Sequence, residues 1–342
     1  MVKVTVVGAS GYLGGELLRV LVNHPKVNEI DAVSRTHAGK AVSTIHSNLA
    51  GVFDEKFMDF KADKIGSDVV FFASPPGEWL KKVPMLLDKG MKVITLGGKF
   101  RINDAELDER TYPGHKNKKL LEERVYGLPE AYRKEIKNAR FVTNPGCYPT
   151  SVILSMMPLA KLDGDVELDK VVINSVSGSS GAGAEPSKFL HHPEVSGNLR
   201  PYKLFVHRHK PEMDFVLGDV FNATVNALFT PSVGDFARGI LSYVTVFSAG
   251  INENLTKHYR EFYAKEPFVR IIDQDIENVP NLKDVVGTNF CDVGVNFNSD
   301  RIIILSAIDN LLKGGSGQAV QNMNLMLGFD EKAGLNLVGG RP

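Results

Sequence analysis

The sequence predicts an α/β protein in two parts, a doubly wound parallel sheet over roughly the first 150 residues and an α+β domain after it. Three observations carry this reading. The chain opens on a β-branched run, Val2 to Val7, that passes through glycines directly into a helical apolar pattern. Apolar runs of strand length then alternate with helical stretches as far as Gly146. From Thr150 the texture changes to long β-rich segments separated by long loops.

Val2 to Val7 has the continuous apolar character of a parallel strand covered on both faces. "GASGYLGGELLRVLVNHP" then sets Gly8, Gly11 and Gly14 at three-residue steps ahead of Leu17, Leu18, Val20 and Leu21, and the helix ends at Asn23 and Pro25. Later strands are expected in "EIDAVS", "VVFFAS", "KVITLGG" and "RFVTNPG", with a helix across "EWLKKVPMLLDKG". "PTSVILSMMPLA" reads as the next helix. "DKVVINSVSGSSGAG", "NATVNALFTPSVGDFARGILSYVTVFSAG" and "RIIILSAIDN" supply strands of the second domain. "GQAVQNMNLMLGF" has apolar positions at helical spacing and is expected to pack back on the first domain.

A chain of 342 residues exceeds one ordinary core. Forty basic residues balance forty acidic ones, so no global field argues for nucleic acid or an anionic membrane. Cys147 and Cys291 cannot form a disulfide framework and have no metal-ligand spacing, which suits a reducing cytoplasm and predicts no metal. No signal peptide or membrane span is expected.

The glycine turn is chemically suggestive. Gly8, Gly11 and Gly14, with Ser10, Tyr12 and Leu13 between them, would let backbone approach a pyrophosphate at a helix N-terminus, where unpaired N–H groups favour negative charge. The same pattern also suits a plain strand-to-helix turn. The second strand ends on Ser34 and Arg35 rather than on an acid, and a hydroxyl with a guanidinium suits a 2′-phosphate. NADP is therefore expected over NAD, with a solvated surface charge as the other reading of Arg35.

"VTNPGCYPT" puts Cys147 at the end of an expected strand, where ligands of doubly wound sheets collect. A thiol there is either packing or a nucleophile activated by a helix N-terminus or a cationic histidine. Cys291 has the context of a packed strand residue. Downstream, "YKLFVHRHKPEM" gathers His207, Arg208, His209 and Glu212, which offer a proton-transfer group, a planar fork for an anion and a carboxylate.

Taken together, "VGASGYLGGELLR", "VYGLPE", "NPGCYPT", "HRHKPE" and "IDNLLKGGSGQAVQNMNLMLG" resemble, in order and spacing, the N-acetyl-γ-glutamyl-phosphate reductases of the aspartate-semialdehyde dehydrogenase superfamily. The resemblance spans the first strand to the last helix. It implies an NADP-binding Rossmann domain completed by the C-terminal helix (residues 1–148 and 310–342), an inserted α+β catalytic and dimerisation domain (149–309), and a homotetramer or homodimer. It further implies Cys147 as nucleophile and His209 as acid–base, with His207 as runner-up. Ser74 and Pro75, with Asn310, Lys313, Gly314 and Gly317, would line the cofactor groove. Arg101, Asn144, Ser177, Arg208 and Glu212 would contact substrate. In this scheme the thiolate attacks an acyl phosphate, and NADPH reduces the thioester to a semialdehyde. Backbone N–H groups around Cys147 and Asn310 are candidate oxyanion donors.

Two departures bear on the substrate. "TLGGKFR" stands where the family reads close to "DLSADFR", placing Thr95 and Lys99 at an acidic pair. The segment "SGSSGAGAEPSKFLHHPEVSGNLRPY" is longer than in acetylglutamate-type members, and "HHPE" with "RPY" looks like the branch acting on glutamyl or 2-aminoadipyl phosphate held on an acidic amino-group carrier protein, in arginine and lysine synthesis. Lys188, Arg200, Lys203, Arg208 and Lys210 would suit such a partner. The carrier-bound acyl phosphate is the expected substrate, and N-acetyl-γ-glutamyl phosphate the alternative. Aspartate-semialdehyde dehydrogenase fits "HRHKPE" and "GQAVQNMN" poorly. A non-catalytic NADP sensor would need neither a nucleophile nor a histidine pair.

Overall fold

The computed structural model describes residues 1–74, 77–114, 116–162, 165–249, 254–273, 278–298 and 300–341. The chain divides into two compact units, Met1–Pro145 with Gly315–Asn336, and Gly146–Gly314 with Leu337–Pro342.

The first unit is a six-stranded parallel sheet formed by β1 (Val2–Val7), β2 (Val27–Val33), β3 (Val69–Phe72), β4 (Lys92–Thr95), β5 (Val125–Tyr126) and β6 (Phe141–Thr143). Their spatial order is β2-β1-β3-β4-β6-β5. The chain steps from β1 outward to β2 and returns to β1's other side for β3, so the carboxyl ends of β1 and β3 flank a crevice at a topological switch point. Helices α1 (Tyr12–Leu21), α2 (Val83–Asp88), α3 (Ala105–Thr111), α4 (Lys118–Glu123) and α5 (Pro129–Asn138) connect the strands. Five strands match the expected runs. Strand β5 and helices α3 and α4 carry signals too short for periodicity to reveal, and α5 is not among the expected helices. The helix expected over residues 78–90 begins as a 3-10 turn, Glu78–Lys82, and becomes α-helical only at Val83. Pro84 explains the division, because proline fits the first turn of a helix and breaks its interior.

The C-terminal helix, Ser316–Met326, packs on α1, α5 and β4. Its amphipathic reading needs correction, because every residue is buried. Its amide nitrogens find partners instead of water. Asn322 Nδ2 donates to Gly127 O at 2.8 Å and to Asn144 Oδ1 at 3.0 Å, and Gln318 Nε2 donates to Gly127 O at 3.2 Å. Asn324 pairs with His24 at 2.9 Å and donates to Ala333 O at 2.9 Å. Ser316 Oγ donates to Leu13 O at 2.7 Å. Gly127 must be glycine for this seam, since a Cβ there would lie 2.5 Å from Asn322 Nδ2.

Lys99, one of the two departures, lies inside this unit. Its ammonium meets Asp108 at 2.9 Å and Glu109 at 2.8 Å, with Lys99 and Asp108 only 3% and 2% exposed. It anchors α3. Burial pushes the Asp108 carboxyl up, and the Lys99 bond pulls against that.

The second unit is a mixed seven-stranded sheet of β7 (Asp165–Ser177), β8 (Arg200–Pro201), β9 (Leu228–Val233), β10 (Ile240–Ala249), β11 (Val269–Ile271), β12 (Cys291–Asn298) and β13 (Arg301–Ile308), in the order β11-β12-β13-β10-β7-β9-β8. Helices α6 (Cys147–Met156), α7 (His192–Val195), α8 (His209–Phe221), α9 (Leu255–Phe262) and α10 (Leu282–Val285) complete it. Helix α6 lies on β10, β12 and β13 and against α8. Its attachment to the sheet is a chain of buried hydroxyls. Ser151 donates to Ser242 at 2.9 Å, Ser242 and Ser175 are 2.8 Å apart, and Ser306 donates to Ser151 O at 3.1 Å. Cys291 is fully buried in β12. No helix among the described residues is long and apolar enough to cross a membrane.

The Lys99 ion pair makes a quantitative expectation. Lys99→Ala leaves the Asp108 carboxylate buried without its cation and should cost about 3–5 kcal/mol in urea unfolding, whereas Lys99→Met with Asp108→Leu should recover most of that loss.

Candidate active site

In the first unit the three glycines have three different environments. Gly8 has φ +83°, and a Cβ there would come within 2.9 Å of Ser74 Cβ. A Cβ on Gly14 would lie 2.3 Å from Gly8 O. Both positions must be glycine for the turn and for strand–helix packing. Gly11, the N-cap of α1, differs: among the described residues its Cβ would meet only Gly8 O, at an ordinary 3.6 Å. Packing among the described residues does not require glycine there, which is what a turn shaped for close approach of a ligand shows. The first turn of α1 carries no acid, and no side chain caps it. A dinucleotide pyrophosphate fits these residues.

Ser10 and Ser34 hydroxyls are 2.9 Å apart, and Ser34 is 3.4 Å from Thr36. Arg35 is exposed and makes no ion pair among the described residues. Tyr12 and Leu13 open α1. Pro75 lies outside the described residues. His46 is a contact that the sequence reading missed. Its Nε2 donates to Ala9 O at 2.7 Å, and its ring fills the space where a Cβ on Gly15 would fall, 2.5 Å from Cε1. The Gly14–Gly15 doublet inside a helical pattern was the available signal, since interior glycine is costly without a packing reason.

Arg101 and Asn144 also belong to the first unit. Arg101 donates to Leu96 O at 2.9 Å and lies over the Tyr112 ring. Asn144 donates to Gly315 O at 3.0 Å and accepts from Asn322, so its amide holds the C-terminal helix. Gly317 is buried in the first turn of that helix.

In the second unit Cys147 is the first residue of α6, two residues earlier than the expected helix. Gly146 caps the helix in extended conformation, and Pro149 sits in the first turn, where the missing N–H costs nothing. Gly146 is held through both of its backbone polar groups. Its N–H donates to Glu212 Oε1 at 2.8 Å, and its carbonyl accepts from Thr150 N at 2.9 Å and Thr150 Oγ1 at 3.1 Å. Cys147 is half-buried at the positive end of the helix dipole, and no acid lies in that first turn. This environment favours a thiolate. Gly314 closes one side: a Cβ there would lie 2.9 Å from Cys147 Cβ.

Tyr148 carries the arrangement on to the histidines. Its ring stands edge-on to His207 at 5.5 Å, His209 at 5.8 Å and Phe229 at 5.3 Å. Its hydroxyl donates to Ser232 O at 3.2 Å and accepts from Tyr202 at 3.2 Å. Burial drives the Tyr148 phenol far up and the Tyr202 phenol up to about 12, so both remain protonated donors. The imidazoles of His207 and His209 are 4.9 Å apart. His207 Nδ1 accepts the backbone N–H of His209 at 3.1 Å, which leaves the proton of the neutral ring on Nε2. Burial, then the nearby Lys203 and Arg208 charges, push His207 down to about 4. His209 opens α8, and Glu212 follows one turn later on the same helix.

The remaining expected residues of this unit lie around the loop after β13. Asn310 accepts from Gly239 N at 2.7 Å and donates to Ser180 Oγ at 3.0 Å. Asp309, absent from the expected set, accepts from Arg238 at 2.9 Å, Gly287 N at 2.7 Å and Leu311 N at 2.8 Å. Lys313 is fully buried, with Nζ 5.8 Å over the Phe268 ring. Ser177 donates to Gly178 O at 3.0 Å, and Arg208 is exposed beside His207.

The depressed His207 value has a definite sign. A histidine held below its ordinary 6.5 contributes stability that is fully present above pH 6.5 and is lost as pH falls toward about 4. Unfolding free energies at pH 7 and 4.5 should therefore differ by about 2–3 kcal/mol more in the wild type than in His207→Phe.

Comparison with known proteins gives this geometry its family. A model described as "Semialdehyde dehydrogenase, NAD binding domain" matches residues 3–139, and one described as "Semialdehyde dehydrogenase, dimerisation domain" matches residues 147–310. N-acetyl-gamma-glutamyl-phosphate reductase of Archaeoglobus fulgidus is 46% identical over 97% of this chain and 98% of its own. Among solved structures, aspartate semialdehyde dehydrogenase II of Vibrio cholerae complexed with ASA aligns with TM-score 0.73 at 17% identity, over 96% of this chain and 98% of its own. Aspartate semialdehyde dehydrogenase with NADP from Candida albicans aligns with TM-score 0.68 at 14% identity, over 98% and 99%. The expected fold class is thus correct, and the full-length likeness settles the lineage: the chain belongs to the N-acetyl-γ-glutamyl-phosphate reductases, oxidoreductases with an NAD(P)-binding domain and the semialdehyde dehydrogenase fold.

Proposed function

We propose that this chain reduces N-acetyl-γ-glutamyl phosphate to the semialdehyde and inorganic phosphate, using NADPH and a thioester on Cys147. The observation that carries the reading is the placement of Cys147 at the first position of α6, directly after Gly146, whose N–H and carbonyl are held by Glu212 and Thr150. The thiolate attacks the acyl carbon, and the bond from that carbon to the phosphate oxygen breaks. His209 takes the thiol proton and returns it to the departing phosphate. The bound dinucleotide supplies the hydride that reduces the thioester carbon. The carbon–sulfur bond then breaks, releasing aldehyde and restoring the thiolate.

His209 is preferred to His207 for the proton work. The His207 ring already accepts the His209 N–H at Nδ1, and its value of about 4 keeps it neutral through the physiological range. With the Gly146 N–H donated to Glu212 and the Asn310 amide engaged by Gly239 and Ser180, the first-turn N–H groups of Cys147 and Tyr148 are the proposed oxyanion donors. Arg208, exposed at the start of α8, is the proposed phosphate contact.

NADP is preferred to NAD because Ser34 and the exposed Arg35 follow β2, where an acid would otherwise meet the ribose 2′-OH. The relatives' names favour the acetylated substrate over the carrier-bound one expected from the sequence. The carrier reading keeps one support, the exposed stretch of Leu199, Leu204, Phe205 and Val206 among Arg200 and Lys203. The match to a dimerisation domain supports at least a homodimer, and a thiol nucleophile suits the cytoplasm.

Steady-state assays separate these alternatives. Reduction of N-acetyl-γ-glutamyl phosphate without any carrier is the expected result, and turnover confined to a carrier-bound acyl phosphate would overturn the substrate assignment. Cys147→Ala should lose about three orders of magnitude or more in kcat. Arg35→Ala should raise the KM for NADPH about tenfold or more and leave that for NADH nearly unchanged.

A further inference from the structure

Glu212 lies where the reacting parts of the second unit converge, yet its bond is to the backbone of the nucleophile's own turn. It is 0% exposed. Its Oε1 takes the Gly146 N–H at 2.8 Å, and Gly146 immediately precedes Cys147. On its own helix it follows His209 by one turn. The Gly146 carbonyl, in the next peptide group, is held by Thr150, and α6 is held to the sheet through Ser151. The residue before the thiol is therefore tied to two helices at once, α6 through Thr150 and α8 through Glu212.

We infer that Glu212 is a positioning residue that sets the Cys147 turn relative to the start of α8, and that it does so by its reach and its acceptor oxygen rather than by charge toward substrate. The inference rests on the proposed thioester chemistry and deepens it. A carboxylate placed to bind a cationic or amide group of the substrate would be open to the cleft. Here the side chain is fully buried, and its Oε1 takes the Gly146 N–H. If Oε1 withdraws, a buried donor is left unsatisfied and the turn loses one of its two anchors.

Three substitutions separate reach from charge. Glu212→Gln keeps the length and the acceptor oxygen and removes the charge. Glu212→Asp keeps the charge and shortens the side chain by one methylene. Glu212→Ala removes both. Positioning predicts that Gln retains kcat within about tenfold while Asp and Ala lose about a hundredfold, all with KM within a few-fold of wild type. Amide hydrogen exchange at Gly146, measured on the intact protein without substrate, should remain slow in Gln and quicken in Asp and Ala. The opposite order, with Asp active and Gln inactive, would overturn the inference, as would a rise in KM at unchanged kcat or unchanged Gly146 exchange in Asp. If Ala fails to fold, the Gln and Asp pair decides alone. Because the exchange readout needs no turnover, it tests the clamp even if the proposed substrate is wrong.

Discussion

The second unit is organised around one residue, Gly146. Its N–H must face Glu212 while its carbonyl faces Thr150, and this fixes where α6 begins and which residue occupies its first position. Once that residue is fixed, the thiol stands at the helix's positive end and Gly314 has to be glycine to pass it. Tyr148, the next residue, is then committed to the aromatic cluster with His207, His209 and Phe229. A hydrogen bond to a charged group contributes about 1.5–3 kcal/mol, enough to dominate local geometry though small beside the whole fold. The serine chain beneath α6 serves the same end, fixing the helix to three strands through groups that carry no charge.

The first unit solves a different problem. Its sheet needs a helical layer, and the chain supplies part of that layer from a segment with many amides. Asn322, Asn324, Gln318 and Gln321 are fully buried, a cost that the bonds donated by their amide nitrogens offset in part. The carbonyl of Gly127 accepts from two of them, and the absence of a side chain at that glycine is what allows the approach. Such a seam tolerates only a matching surface, so it gives specificity of docking as well as attachment.

Features dictated by short stretches of chain were legible in the sequence. The glycine turn, the first strand and the cysteine turn impose backbone demands that few residue types meet, and those demands act over three or four positions. What escaped notice depends on partners far away in the chain. Periodicity reads Asn and Gln as solvent-facing, so the C-terminal helix looked amphipathic although its polar side meets Gly127, Asn144 and His24. Glu212 read as a group for substrate because nothing near it in sequence discloses the Gly146 N–H. Lys99 looked like a disturbance of the groove, and its two acids come one turn into the next helix. His46 could only have been inferred backwards, from the glycine it displaces.

The position of the C-terminal helix also sets an order of events at birth. The first unit has 145 residues at its beginning and needs Gly315–Asn336 to finish its core. Roughly 170 residues of the other unit are made in between, which at ordinary translation speeds is on the order of ten to thirty seconds. Throughout that interval the faces of α1 and α5 that will receive the helix are unpaired on a nascent chain. The bulk of the second unit, Gly146–Gly314, can fold before the first unit is whole, so the nucleotide-binding half, although encoded at the start, is finished only near the end of synthesis.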